Sequence, residues 1–233
     1  MKLIHCVFLF ALALFSAPLC AKGQLQAGPI LLQIVPGDSA SRLRLSNTGD
    51  SPLAAQVRVF AWSQEGGEDK LVASDAVVAS PPIVELPPGG KQLVRLVRLG
   101  PEARDSDDSY RLVVDELPEG ITGGEAKVRV RMRYLLPLFV RAADAAEPNL
   151  SCSLQVDKLS CFNAGGRAAQ LGASRLVGDS GDAIQLSGGL FGYVLPGSRR
   201  VWALPEEIGA LAPGEVRLQT VLNGQPATIP LRQ

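Results

Sequence analysis

Short runs of alternating apolar and polar residues, each stopped by Pro or Gly, recur throughout this chain, and helical periodicity is hard to find. Pro-Gly, Asn-Thr-Gly and Gly-Gly close the runs, and 17 Pro with 24 Gly in 233 residues imply many turns. Such punctuation predicts an all-β chain of sandwiches. Hydrophobic residues make up 46%, enough for a sizeable core, and the length suits one large domain or two ordinary ones. Basic and acidic residues both number 23, so no overall field steers the chain to nucleic acid or to a membrane.

The N-terminus, "MKLIHCVFLFALALFSAPLCA", reads as a secretory signal peptide spanning residues 1–21. It has a basic Lys2, an apolar run from Val7 to Leu14 and small residues before Lys22, and it is too short to span a bilayer. Leu19 departs from the small residue expected three positions before the cleavage site. "APLC" lacks the small residue that precedes a lipidated cysteine.

Cleavage after Ala21 removes Cys6, Cys20 and His5, so the mature chain has two cysteines and no histidine. Cys152 and Cys161, in "SCSLQVDKLSCF", would meet across a hairpin turning at Asp157-Lys158, and an exported chain makes a disulfide the default. Two cysteines without histidine are a poor metal site. "GDSGD" at 178–182 resembles a serine-protease nucleophile segment, but no histidine base exists to take the serine proton. It reads as a polar turn. Asp115 and Glu116 are adjacent on a strand, so they point to opposite faces and cannot converge as an acid–base pair. No phosphate loop is present. The sequence supports no catalytic residue and implies no cofactor.

Seven strand candidates precede Ala142: "PILLQIV", "SRLRLSN", "AAQVRVFAW", a poorly patterned piece near "LVASDAVVAS", "KQLVRLVRL", "SYRLVVDEL" and "KVRVRMRYLLPLFV". Their count and spacing fit an immunoglobulin-like sandwich. "AADAAEPN" reads as a linker. Beyond it "NLSCSLQV", "KLSCFNA", "AQLGASRLVG", "AIQLSGGLFGYVL", "RRVWALP", "EVRLQTVLN" and "ATIPLRQ" form a second, smaller sandwich. The predicted domains are 22–142 and 143–233. Along "AKVRVRMRYLLPLFVRA", residues 126–142, Val128, Val130, Met132 and Tyr134 alternate with Arg129, Arg131 and Arg133. Alternation alone fits an ordinary sandwich strand as well as a binding edge. Nucleic-acid binding by "RVRMR" is disfavoured in a neutral, exported chain.

Five segments in order, "SNTGDSPLAAQVRVFAW", "SPPIVELPPGGKQLVRL", "SYRLVVDELP", "RYLLPLFVRA" and "GYVLPGSRRVWAL", resemble the PapD-like periplasmic chaperones of pilus assembly. The resemblance covers most of the mature chain. It implies two immunoglobulin-like domains set at an angle around a cleft. It also implies a seventh strand lent to pilus subunits that lack their final strand, and delivery to an outer-membrane usher, without covalent chemistry or stable membrane insertion. Aligning "PLFVRA" with the family segment puts Val128, Val130 and Met132 at the donated positions, with Tyr134 extending the face. The arginines between them would keep a free edge soluble, and such an edge leaves self-association of the free protein open. Prototype members anchor the subunit carboxylate with an arginine on the first strand and a lysine before the "LF" of the seventh. Here "GPILLQIV" has no basic residue and Pro137 holds the lysine position, a form nearer the divergent, archaic or alternative, branches. Arg95, Arg98 and Arg133 are the candidate replacements. Pro137 should break pairing along its strand or make it edge-like. The resemblance further implies that Glu116 and Arg141 belong to an interdomain salt-bridge network. Leu117–Glu125, "LPEGITGGE", is Gly-rich and is expected to be mobile without a subunit. The rival reading is an extracellular structural or adhesive protein of two immunoglobulin-like domains.

Overall fold

The structure, a computed structural model, describes residues 24–103, 105–118, 130–155, 157–205, 208 and 215–232. The signal segment 1–21, Val128 and most of Leu117–Glu125 lie outside the described residues. Among the described residues there are strands and no α-helix.

Two sheets form the first sandwich. One has the order β1 (Leu25–Gly28), β3 (Ala40–Asn47), β8 (Lys91–Arg98), β6 (Val77–Ser80). The other runs β2 (Leu32–Ile34), β10 (Arg133–Val140), β9 (Asp108–Glu116), β4 (Leu53–Glu65), β5 (Glu68–Ala73), with β7 (Ile83–Leu86) on the far half of β4. Period-two patterning does the sorting. Leu43 and Leu45 of β3, Val94 and Leu96 of β8, Leu112 and Val114 of β9 and Leu136 and Leu138 of β10 enter one core, and their alternate neighbours face out. Each such leucine contributes about 1.5–3 kcal/mol of burial, before the entropy of ordering it.

The predicted strand "PILLQIV" is in fact β2 alone. β1 begins upstream of it, and the chain crosses between sheets at Pro29-Ile30-Leu31. The poorly patterned region resolves into the end of β5, β6 and the approach to β7. β5 is exposed at every position, so it carries no alternation to read. Residues 130–132 of the predicted seventh strand precede β10 rather than belong to it.

The second sandwich is one continuous ladder wrapped around its own core. Its order is β14 (Ala183–Ser187), β13 (Ala169–Gly178), β17 (Val216–Leu222), β18 (Gln225–Arg232), β11 (Leu150–Gln155), β12 (Lys158–Asn163), β16 (Arg199–Ala203), with β15 (Gly192–Val194) also on β13. Leu159, Leu171, Leu176, Val194 and Leu218 are the centre of that core. Cys152 and Cys161 are directly opposed on β11 and β12 and form the disulfide. The hairpin closes between Gln155 and Lys158, one residue earlier than predicted. "GDSGD" is the turn between β13 and β14, where Ser180 donates to Asp182 and Gly181 has φ +90°.

Candidate functional site

β4 is the long element of the first sandwich, and its outward face carries Gln56, Arg58, Phe60, Trp62 and Gln64, of which Trp62 and Gln64 meet the second sandwich. Trp62, Phe139 of β10, Ala168, Tyr193 and Leu195 form a small buried cluster between the two cores. The Trp62 and Tyr193 rings meet edge to face at 5.5 Å. Beside them Gln64 acts as a substitute strand partner. Its Nε2 donates to the Tyr193 carbonyl at 2.9 Å and its Oε1 accepts the Leu195 N–H at 3.0 Å.

The β4–β5 turn makes a second contact. The Gly67 carbonyl accepts the Val201 N–H at 2.9 Å and the Arg200 guanidinium at 2.7 Å. Gly67 has φ +87°, and a Cβ there would lie 2.6 Å from the Val201 side chain, so only glycine fits. At the third contact the Asp107 N–H donates to the Gly166 carbonyl, while the fully buried Asp107 carboxylate takes Arg141 and the Ala142 N–H. A cleft of about 240 Å³ lies between the sandwiches, lined by Leu31, Gln33, Arg141, Glu147, Tyr193 and Asn223 among others.

β10 leads from this cleft to an open edge. On one side it pairs with β9 along its whole length. On the other, β2 runs parallel to Leu138–Val140 only, so Arg133–Pro137 have no partner strand there among the described residues. The Glu116 N–H donates to the Met132 carbonyl, which sets the alternation of the ladder. By that alternation the main-chain groups of Arg133, Leu135 and Pro137 point to the open side. Pairing at Pro137 is therefore not broken. It sits in register with Arg111, and its missing N–H falls on the open side.

The predicted donor residues occupy one face in different degrees. Tyr134 packs against its own core and its hydroxyl donates to the Leu25 carbonyl at 2.6 Å; burial, then the Glu116 carboxylate, push its pKa up. Met132 is partly buried against the same core, and Val130 is 80% exposed. The inward face of β10 thus runs on past the end of its own sandwich. Leu135, 56% exposed on the other face, carried no signal in the sequence because it sits inside a continuous apolar run.

The arginines divide sharply. Arg133 and Arg58 share the Asp115 carboxylate, and Arg98 is held by Glu102 and the Gly100 carbonyl. Arg95 lies on the outer face of the β1-β3-β8-β6 sheet, away from the Trp62–Phe139 face. Glu116 and Arg141, both implied to belong to an interdomain network, do not meet each other. The two sit at opposite ends of the β9–β10 ladder: Arg141 binds Asp107, and a Glu116 oxygen accepts the Met132 N–H.

Arg111 was missed by sequence reasoning. It lies directly across from Pro137, the lysine position, with its guanidinium 3.6 Å above the Trp62 ring and 5.4 Å from Tyr193. No carboxylate pairs with it among the described residues. Burial lowers its pKa, opposed by Asp69 and Tyr193. The Trp62 indole N–H beneath it is buried without a protein acceptor. The available signal was its cross-strand register with Pro137, which requires the pairing to be known.

The sequence matches the family "Pili and flagellar-assembly chaperone, PapD N-terminal domain" over residues 24–145, just over half the chain. The chain belongs to that family. A chain of the CsuC–CsuE chaperone–tip adhesion subunit complex, from archaic chaperone–usher Csu pili of Acinetobacter baumannii, is 26% identical. It aligns over 89% of this chain and 97% of that one, with a TM-score of 0.71. The CupB2 chaperone of Pseudomonas aeruginosa, 18% identical over 89% of this chain and 100% of its own, has the same fold at a TM-score of 0.62. So does a chain of the SafA pilin–SafB chaperone complex of Salmonella enterica, at 16% identity, 90% and 96% coverage and a TM-score of 0.64. No curated protein matches the sequence. The two immunoglobulin-like sandwiches with a cleft between them are the fold of this family, and the likeness to an archaic system agrees with the non-prototype residues of β2 and Pro137.

Proposed function

We propose that the protein is a periplasmic chaperone of pilus subunits, exported on residues 1–21 and built of domains 22–142 and 143–233. It holds a subunit by strand addition and passes it to an outer-membrane usher. The observation that carries the reading is the open edge of β10 beside the cleft. A subunit strand laid there would take main-chain hydrogen bonds from Arg133 and Leu135, each worth about 0.5–1.5 kcal/mol net. Val130, 80% exposed, and Met132, only partly buried, supply an apolar face, which the sequence alternation carries on to Val128. Tyr134 is tied to Leu25 and ends that face.

Arg111 is the residue we assign to the subunit's terminal carboxylate, in place of Arg95, Arg98 or Arg133. Its guanidinium is oriented by Trp62 and lacks a paired carboxylate next to the vacated lysine position. A partly buried cation of this kind gains most from an incoming anion.

The test is refolding of a cognate pilin subunit from denaturant with the mature chain. Wild type should capture it stoichiometrically. A Val130→Glu, Met132→Glu variant, shown by circular dichroism and thermal melting to be folded, should capture none. Failure of the wild type to capture any pilin would favour the two-domain structural or adhesive protein.

A further inference from the structure

The outward face of the β1-β3-β8-β6 sheet has a different character from the cleft. Its register sets Arg42 directly opposite Arg95, and Arg44 opposite Leu93, with Lys91 opposite Ser46 one row further along. Gln26, Gly28 and Ser80 complete the surface from the flanking strands. Four cations and no carboxylate therefore share one sheet face. Asp38, at its margin, lines the same depression as Arg42 and Arg95 without pairing to either.

Among the described residues Arg42, Arg44 and Arg95 take part in no ion pair and no side-chain hydrogen bond, and all are exposed. The contrast with the other sheet is sharp, since Arg58, Arg133 and Arg141 there each have a carboxylate and Arg111 has a ring. Like charges directly opposed across strands work against folding. Nothing in the sandwich needs them, because the inward partners Leu43, Leu45, Val94 and Leu96 already fill the core. Two shallow depressions flank Arg42, one bounded by Gln33, Ser39, Ser41 and Arg95, the other by Gln26, Gly28, Arg44 and Leu93.

We propose that this face docks an acidic segment of a protein partner, laid across β3 and β8 with its carboxylates on Arg42, Arg44 and Arg95. Arginine forks match carboxylates bidentately, and the small residues between them let a chain approach the sheet. A lipid surface fits less well. Leu93 is the one exposed large apolar side chain on the face, and the overall charge of the chain is zero. The surface is separate from the β10 edge, so it would be occupied while a subunit is held.

The experiment uses the full mature chain and a synthetic ten-residue peptide rich in Asp and Glu. Binding should protect amides of β3 and β8 from hydrogen exchange and weaken with added salt. An Arg42→Gln, Arg44→Gln, Arg95→Gln variant should lose affinity by about tenfold, as three exposed ion pairs imply. It should keep pilin capture and melt no lower than wild type. A variant with the same charge change elsewhere, Arg175→Gln, Arg217→Gln, Arg232→Gln, should bind as wild type. Equal losses in the two variants, or a lower melting point for the first, would overturn the proposal. Binding to anionic phospholipid vesicles without binding to the peptide would overturn it too, in favour of a membrane.

Discussion

Arg111 and Asp115 stand four residues apart on the outward face of β9 and are held by different physics. Stacking on Trp62 fixes the direction of the Arg111 guanidinium but does not neutralise it. Arg111→Met should keep the fold and weaken capture of a pilin by about 10- to 100-fold, the range of one charge-assisted hydrogen bond of roughly 1.5–3 kcal/mol. Titration of capture with a subunit whose terminal carboxylate is amidated should show no further loss in the variant. For Asp115, burial acts to raise the pKa, but hydrogen bonds from Arg133 and Arg58 outweigh it and leave the carboxyl below its ordinary value. Its folded-state pKa is thus depressed. The stabilisation is present above the unfolded pKa, about 3.9, and is lost as the pH falls through the lower folded value. Hydrogen exchange at the Tyr134 amide, corrected for intrinsic rates, should accelerate in that acid range in wild type. In Asp115→Asn it should be fast throughout and lose this pH dependence.

At the scale of elements, the β4–β5 hairpin is the piece most sensitive to a single atom. Gly67→Ala places a methyl against Val201 in a backbone region that disfavours side chains. A loss of about 1–3 kcal/mol is expected, read as a lower melting temperature and as faster exchange of the Val201 amide. Gly66-Gly67 is a turn signal, but nothing in the sequence announced β5 beyond it, because that strand is exposed along its length and its alternation is absent. Core strands such as β3, β8 and β9 were legible for the opposite reason: one face of each is wholly buried, so the period of two is written in leucine and valine. The site was legible only in part. Sequence alternation locates the face of Val130, Met132 and Tyr134, but a side chain's place along a strand does not say where its sandwich ends beneath it. Arg111 stayed hidden because its meaning comes from a cross-strand neighbour. Arg141 was singled out but not its partner, because Asp107 is a loop residue packed under the second sandwich.

At the scale of the whole molecule, hydrogen-bonded contacts at Gln64, Gly67 and Asp107 join the sandwiches among the described residues, around the Trp62–Phe139–Tyr193 cluster. Each uses a main-chain group of the second sandwich, so the junction is directional as well as apolar. Gln64→Ala would leave the Leu195 N–H and the Tyr193 carbonyl without their partner, costing about 1–3 kcal/mol. Small-angle scattering should then show a broader spread of sizes than wild type, while the circular dichroism spectrum stays the same. Pro137 has a bearing on the partner rather than on this chain. A strand zipping along β10 toward the cleft meets amide donors at alternate positions until the pyrrolidine ring, and there the row stops. In the proposed complex the proline would be a built-in end-stop, a gauge against which the last residue of a guest chain is measured. Guests whose final strand is one residue too long would present the wrong face to the apolar side chains, and so be refused by register alone.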